Sequence, residues 1–487
     1  MNRTTEAQEL LSAVDQLRRE VGPQFRDEIV ESLYADAQAI ADRAVHLPNR
    51  TRRPWDERID RLVTHPLWGL PLMLGLLAVV FWLTVAGANV PSKFIAGLLM
   101  EDGGLTGWFN EYMGIAAPAY FSVSVHELLL RLFAFASAPA WLAGFCVDGV
   151  YMAVAWVVSV MLPPMAIFFP IFTLLEDLGY LPRVAFNLDW LFKKAGAHGK
   201  QSLTMAMGFG CNAAGIIACR VIDSPREKLI AILTNNFVPC NGRFPTLIAV
   251  ASLFVAGSVS TASGAITSAV AAATVIGVVL LGVAFTLGVS WTLSRTVLRG
   301  EASAFTLELP PYRRPSVMRV IYTSIIDRTI FVLARACVVA APAGGVIWLL
   351  GNVSAGDISL AEHIHTFLDP FGRLLGLDGV IILAYIIAIP ANEIVVPTML
   401  MLYLKHSMMI QQEGTQLADI LTANGWTLLT AVCLMLFCLL HNPCGTAIWT
   451  MWKETRSVKW TLLGALMPVA IGIVVCMLVA SVVRLLM

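Results

Sequence analysis

Charge is scarce in this chain. Of its 487 residues only 14% are Asp, Glu, Lys or Arg, against roughly 25% in a soluble domain, which excludes a soluble multidomain enzyme. The formal net charge is zero, so no polyanionic partner such as nucleic acid is expected. The first fifty residues mix acids and bases at helical spacing and hold no apolar core, which excludes a cleavable signal peptide. Cysteines number 9; an odd count, with several inside apolar runs, speaks for free or ligating thiols and against a disulfide framework. Enzyme signatures are missing as well. Ala197-His198-Gly199-Lys200-Gln201-Ser202 lacks the first glycine of a phosphate-binding loop and has Gln where Ser or Thr should follow the lysine. No His-Glu-x-x-His, nucleophile elbow or dinucleotide fingerprint occurs, so neither enzymatic chemistry nor a resident cofactor is expected.

What the chain has is apolar residues, 57% of the total, with a mean hydropathy of +0.73. Several runs reach the roughly 20 residues that span a bilayer, which implies an all-α polytopic membrane protein with roughly 8–10 membrane segments. Residues 1–64 read as a cytosolic amphipathic lead-in, with Leu10, Leu11, Val14 and Leu17, then Ile29, Leu33 and Ile40, at helical spacing. Arg50, Arg52, Arg53, Arg58 and Arg61 precede the first run, Leu67 to Gly87, and place the N-terminus in the cytosol. Residues 65–147 hold that span and an extracytoplasmic amphipathic or re-entrant stretch; a second span follows from about Val150 to Leu175. Further spans are expected at 229–256, 267–294, 329–350, 379–404, 425–450 and 460–486. Residues 299–328, with Pro310-Pro311, form a basic cytosolic linker, and 329–377 a span and an extracytoplasmic linker. Strict alternation would put Lys453, Arg456 and Lys459 outside, so the 425–450 segment is expected to be broken and re-entrant.

The two halves echo each other. Asp148-Gly149-Val150 and Asp378-Gly379-Val380 each open an apolar run, and Pro239-Cys240 and Pro443-Cys444 follow, one in each half. The resulting units are 148–298 and 378–487. Interrupted apolar segments at matching places in two halves point to a transporter's midplane site, because unwound backbone in lipid must be satisfied by protein, water or a bound ion. Four polar clusters fall at that depth: Cys211-Asn212, Pro239-Cys240-Asn241-Gly242-Arg243, Pro390-Ala391-Asn392-Glu393 and His441-Asn442-Pro443-Cys444. An intramembrane carboxylate costs about 3 kcal/mol on insertion scales, which makes Glu393 a functional candidate; the alternative is a structural pair with Arg243. Thiol and imidazole donors suit a borderline transition metal and argue against Mg²⁺ or Ca²⁺. The candidate metal residues are Cys211, Asn212, Cys240, Asn241, Glu393, His441 and Cys444. Cys146, Cys219, Cys337, Cys433, Cys438 and Cys476 lie in plain apolar context and read as packing.

At these residues the chain resembles the membrane part of the bacterial ferrous-iron transport protein B (FeoB) family, which contains two Gate repeats. The likeness is carried by Leu174 to Phe186 (LLEDLGYLPRVAF), Gly208-Phe209-Gly210-Cys211-Asn212, Arg226-Glu227-Lys228-Leu229, Phe237-Val238-Pro239-Cys240, Arg243-Phe244-Pro245, Glu308 to Arg313, Asn392-Glu393, Pro443-Cys444 and Lys453-Glu454-Thr455. It departs where the family typically has Asn-Val-Pro-Ala (here Asn212-Ala213-Ala214-Gly215) and Ala-Lys-Glu (here Ala391-Asn392-Glu393), and His441 is not a family residue.

The resemblance implies Fe²⁺ import across a bacterial inner membrane, with gate and metal-path roles at Cys211, Cys240, Glu393 and Cys444. The family's GTPase domain is not in the sequence. GTP is therefore expected to act only through a separate GTPase chain, beside a small cytosolic iron-transport accessory protein, membrane lipid and a possible homo-oligomer as partners. Two other readings stay open: a Gate-fold transporter of another divalent metal or a nucleoside-like solute, and a non-transporting membrane scaffold for a G protein.

Overall fold

The computed structural model describes residues 25–44, 54–114 (66 and 102 excepted), 121–257, 264–300, 315–404 (356 and 357 excepted) and 414–486, with 13 and 312 as single positions. Expectations placed on Leu10, Leu11, Val14, Leu17, Arg50, Arg52, Arg53 and residues 301–311 lie outside the described residues. Helices dominate, because in lipid a helix satisfies its own backbone within one segment. Seven are long and apolar enough to cross a bilayer: Pro71–Leu99, Ala140–Asp177, Pro225–Val255, Ala269–Arg295, Val317–Asn352, Leu428–Thr455 and Val458–Leu486. Among the described residues the strands amount to one two-residue pair, Ser354–Ala355 with Ile358–Ser359. The first span runs past its expected end to Leu99, and the second starts at Ala140 instead of near Val150.

Four apolar segments are broken in the middle, giving eight half-helices. In chain order they are α1 (Gln201–Gly210), α2 (Asn212–Ala218), α3 (Pro225–Thr234), α4 (Phe244–Val250), α5 (Gly379–Ile387), α6 (Val395–Leu404), α7 (Leu428–Leu440) and α8 (Gly445–Thr455). Two of the four turn back on themselves. After α2, the carbonyl of Val221 accepts from Nζ of Lys200 at 3.0 Å, just before α1. At the end of α6 the Tyr403 hydroxyl donates to the carboxylate of Asp378, the N-cap of α5. The other two segments cross from end to end.

Two expectations are thereby exchanged. Residues 379–404, expected to span, form a re-entrant hairpin, whereas 425–450, expected to be re-entrant, crosses. The far end of 425–450 shows this: Glu454 pairs with Arg220 at 2.5 Å and Lys228 at 3.9 Å. Lys453, Arg456 and Lys459 therefore sit at the same end as the 220–228 loop. That end also gathers Lys200 with Asp223 (2.9 Å), Arg328 with Glu176 (3.5 Å), Arg226 on the Leu298 carbonyl (2.6 Å) and Arg183 with Asp60 (2.8 Å). One hairpin misread as a span is enough to invert every later loop, and correcting it removes the conflict with the basic-loop trend.

The duplication is cleaner in space than in sequence. Tyr180–Lys194 and Leu360–Leu374 are amphipathic helices of 15 residues each, starting 180 positions apart (180 and 360). Each ends in the same turn, with Gly196 at φ 69° and Gly376 at φ 76° and their N–H groups on the carbonyls of Lys193 and Arg373. The hairpin breaks keep that offset: Cys211 lies at φ −155°, ψ 123° and Ala391 at φ −150°, ψ 120°. The second breaks are extended at Cys240 (φ −82°, ψ 169°) and Cys444 (φ −63°, ψ 158°). One hairpin enters from the basic end and the other from the opposite end, the arrangement of inverted-topology repeats.

Asp148-Gly149-Val150 is not the counterpart of Asp378-Gly379-Val380. Asp378 caps α5 through Oδ1, which accepts from the Ile381 N–H at 2.7 Å. Asp148 instead lies inside the Ala140–Asp177 helix, in the wide turn Gly144–Tyr151. Gly149 is there for close packing: a Cβ on the facing Gly344 would stand 2.3 Å from the Gly149 carbonyl oxygen. Small residues of this kind let lipid-embedded helices touch through their backbones.

Gly376 tests the repeat register. A Cβ there would meet Sγ of Cys433 at 2.8 Å, on backbone already at positive φ. Gly376→Ala is expected to lower stability by about 1–3 kcal/mol, read as a fall in Tm on thermal unfolding in detergent; an unchanged Tm would contradict the turn described.

Candidate metal site

A helix that stops in mid-membrane leaves up to four carbonyls or four N–H groups without intrahelical partners. The four breaks meet, and these groups are satisfied largely by one another's side chains. Arg243, fully buried, does most of it. Nη1 donates to the carbonyls of Asn236 (2.9 Å) and Leu439 (3.0 Å). Nη2 donates to Asn236 Oδ1 (3.1 Å) and to the carbonyls of His441 (3.4 Å) and Asn442 (3.3 Å). The guanidinium thus ties the 235–243 break of the first half to the 441–444 break of the second. Asn235 and Asn236 extend the web, reaching the carbonyls of Asn212 at 3.0 Å and His441 at 2.9 Å.

Inside the web is a cavity of about 30 Å³, room for one ion or a water or two. Its walls bring together six of the seven sequence candidates: Cys211, Asn212, Cys240, Asn241, Glu393 and Cys444. Met161 and Met165, from the Pro-interrupted helix Met152–Asp177, add two thioethers. Beyond it opens a vestibule of about 1210 Å³ towards the end opposite the basic loops, with Lys93, Glu101, Glu111 and His126 on its walls. Asn241, Gly242 and Glu393 line both spaces. Glu393 therefore occupies the neck between them. Among the described residues, no Lys or Arg nitrogen stands within 4.0 Å of its carboxylate, so the structural pairing with Arg243 does not form; Arg243 is committed to carbonyls.

His441 is the candidate that the structure sets apart. It does not line the cavity; Nδ1 is 2.8 Å from the Cys438 carbonyl and Nε2 is 3.1 Å from Asn392 Oδ1. The residue is extended (φ −74°, ψ 176°), so His441 and Cys444, three positions apart, share no helix face. Among the described residues, no three His, Cys, Asp or Glu side chains are grouped so as to hold a metal ion together. What the geometry offers is a lined passage with scattered sulfur and oxygen donors.

Arg243 as a carbonyl cap, Asn236 as its relay and the two methionines were missed in the sequence. For the arginine a signal was available: two breaks ending in mid-membrane create a demand for donors, and Arg243 stands directly after one of them.

Two family models match the chain: Gate, described as nucleoside recognition, over residues 158–254 and 322–457, and the ferrous iron transport protein B C terminus over 275–327. These contain all four breaks and the loop joining the two halves. The chain belongs with the membrane region of the ferrous-iron transport protein B family. A protein named Fe(2+) transporter FeoB from Staphylococcus aureus (strain MSSA476) is 27% identical over 93% of this chain and 61% of its own length. The FeoB of Campylobacter jejuni is 26% identical over 85% of this chain and 63% of its own length. A Fe(2+) transport protein A/Fe(2+) transporter FeoB fusion protein from Porphyromonas gingivalis is 24% identical over 87% of this chain and 51% of its own length. The chain thus spans about three fifths of the length of the FeoB relatives it matches.

Two substitutions probe the site. A Cβ on Gly242 would fall 2.0 Å from Glu393 Oε1, so Gly242→Ala should displace the carboxylate from the neck while Tm changes little, read as a shifted Glu393 side chain in a structure of the variant. Arg243→Met leaves the carbonyls of Asn236, Leu439, His441 and Asn442 without this donor; a loss of about 3–5 kcal/mol is expected, as for breaking a buried charge network, read as lost monodispersity or a large fall in Tm.

Proposed function

We propose that the chain carries Fe²⁺ through the membrane, from the vestibule past Glu393 into the sulfur-lined cavity and on to the basic end. The observation that carries this is the position of Glu393, an acid with no Lys or Arg nitrogen within 4.0 Å among the described residues, at the neck of a passage lined by Cys211, Cys240 and Cys444. Fe²⁺ is a borderline ion that accepts carboxylate, amide oxygen, thiol and thioether donors. With no preformed cluster of three strong ligands among the described residues, the ion exchanges water for protein donors a few at a time, and a path of weak sites lets it leave. The positive-inside trend supports a cytosolic position for the basic end; with the vestibule then facing outward, the proposed direction is import across the bacterial inner membrane. The names of the curated relatives support the same substrate, and the fused relative supports a small accessory protein as partner. The GTPase is assigned to a separate region or chain that meets the cytosolic end.

A nucleoside-like cargo is disfavoured by size, since about 30 Å³ between the breaks cannot hold a base and sugar. Another divalent metal remains the closest competitor, and the scaffold reading predicts no flux at all. Proteoliposomes containing the full chain, loaded with a metal-quenched dye and challenged with Fe²⁺, Mn²⁺, Zn²⁺ and a labelled nucleoside, separate these. Fe²⁺ flux that falls at least tenfold in Glu393→Ala and clearly in Cys240→Ser and Cys444→Ser is expected. Equal Fe²⁺ flux in all four chains overturns the proposal.

A further inference from the structure

We propose that the basic end carries a binding surface for anionic phospholipid, built from Lys194, Arg295, Lys453 and Lys459 and the tryptophans they stand over. The inference concerns the lipid beside the protein and holds whatever the cargo is.

The four cations share one arrangement. Nζ of Lys194 stands 4.4 Å from the centre of the Trp190 ring, and the Arg295 guanidinium carbon 4.5 Å from that of Trp291. Nζ of Lys453 and of Lys459 stand 5.4 Å and 5.5 Å from Trp449 and Trp460. The cations are exposed, as are Trp190, Trp291 and Trp449, and Trp460 is half-buried. On the three crossing helices the order from membrane to water is constant. Trp291 and Trp449 come one turn before Arg295 and Lys453 on helices that run out at the basic end. Lys459 comes just before Trp460 on the helix that runs back in. The charge is always on the water side of the ring, which is the order of a lipid interface, with the indole at headgroup level.

Charge separates the two ends of the molecule. Among the described residues, none of these four cations has a carboxylate oxygen within 4.0 Å. At the opposite end Lys93, Arg131 and Arg373 each have one, from Glu111 (2.7 Å), Glu127 (3.7 Å) and Asp369 (2.7 Å). Exposed positive charge is answered within the protein at that end and is left for an outside anion at the basic end. Stacking on an indole also holds a long side chain in place beforehand, so less freedom is lost when it meets a phosphate. The ligand that fits has a phosphate at headgroup depth, net negative charge and acyl chains to lie along the rings. An acidic protein arriving from the water would meet the charges and leave the tryptophans uncovered.

Phosphatidylglycerol and phosphatidylcholine with brominated acyl chains, which quench tryptophan on contact, are titrated into the full chain in detergent at low salt. The wild type should be quenched at a lower mole fraction of phosphatidylglycerol. That preference should fall about fivefold for each cation replaced, in Lys194→Gln, Arg295→Gln, Lys453→Gln and Lys459→Gln, and vanish when all four are combined. The Arg131→Gln, Arg373→Gln double variant, at the opposite end, should keep it. A reading that needs no substitution is salt: at about 1 M, where charges act over about 3 Å, the wild-type preference should disappear. Equal quenching by the two lipids in the wild type at low salt overturns the proposal. A preference that survives the fourfold variant or high salt overturns it too, as does one lost equally in the double variant. Removal of the preference by soluble glycerol phosphate also overturns it, by assigning the cations to a free phosphate.

Discussion

Backbone in hydrocarbon cannot go unsatisfied, and this fold breaks helices in four places in the middle of its apolar segments. Everything else in the centre of the molecule answers that demand. Arg243 gives its hydrogen bonds to carbonyls released by two of the breaks, one from each half. The asparagines at 235 and 236 serve the same need with neutral amides. A buried charge of this kind is costly by itself, but here it replaces several unpaired carbonyls at once. The consequence for the site is that the arginine's hydrogen bonds go to the breaks and none of them to Glu393, at the neck of the cavity.

Much of this was legible in the residues. Low charge, long apolar runs and Gly, Pro, Cys and Asn within them marked a polytopic fold with discontinuous helices, and the six residues of the cavity wall were named from local pattern alone. What could not be read was direction. Hydropathy does not distinguish 26 residues that cross from 26 that fold back, so 379–404 and 425–450 were exchanged, and only the ion pairs of Glu454 separate them. His441 stands behind the cavity wall and not on it. A spacing of three implies a common face only on a helix, and Pro443 with the extended backbone at His441 removes the helix.

The repeat was half visible for a reason rooted in geometry. Inverted units share backbone conformation more than side chains, since the same turn faces opposite solvents in the two copies. Gly196 and Gly376 are both glycine because both need positive φ, whereas Cys211 and Ala391 share torsion angles without sharing chemistry. The sulfur and the acid at the first-type breaks therefore come from different halves: Cys211 from one hairpin, Glu393 from the other. Duplicated architecture with unlike donors gives a passage whose two sides are not equivalent to an ion.

The two halves also differ in how tightly the same parts close. At the basic end α2 lies against α8, with Ala213, Ala214, Ile216, Ala447 and Met451 in one packed cluster. Their symmetry mates at the opposite end, α6 and α4, stand apart, and the vestibule fills the gap between Val396, Pro397, Leu400 and Phe244, Ile248, Ala249. One molecule thus displays the sealed and the parted version of a single joint. The asymmetry leaves the space between the breaks continuous with the vestibule at the end where the joint is parted, through Asn241, Gly242 and Glu393.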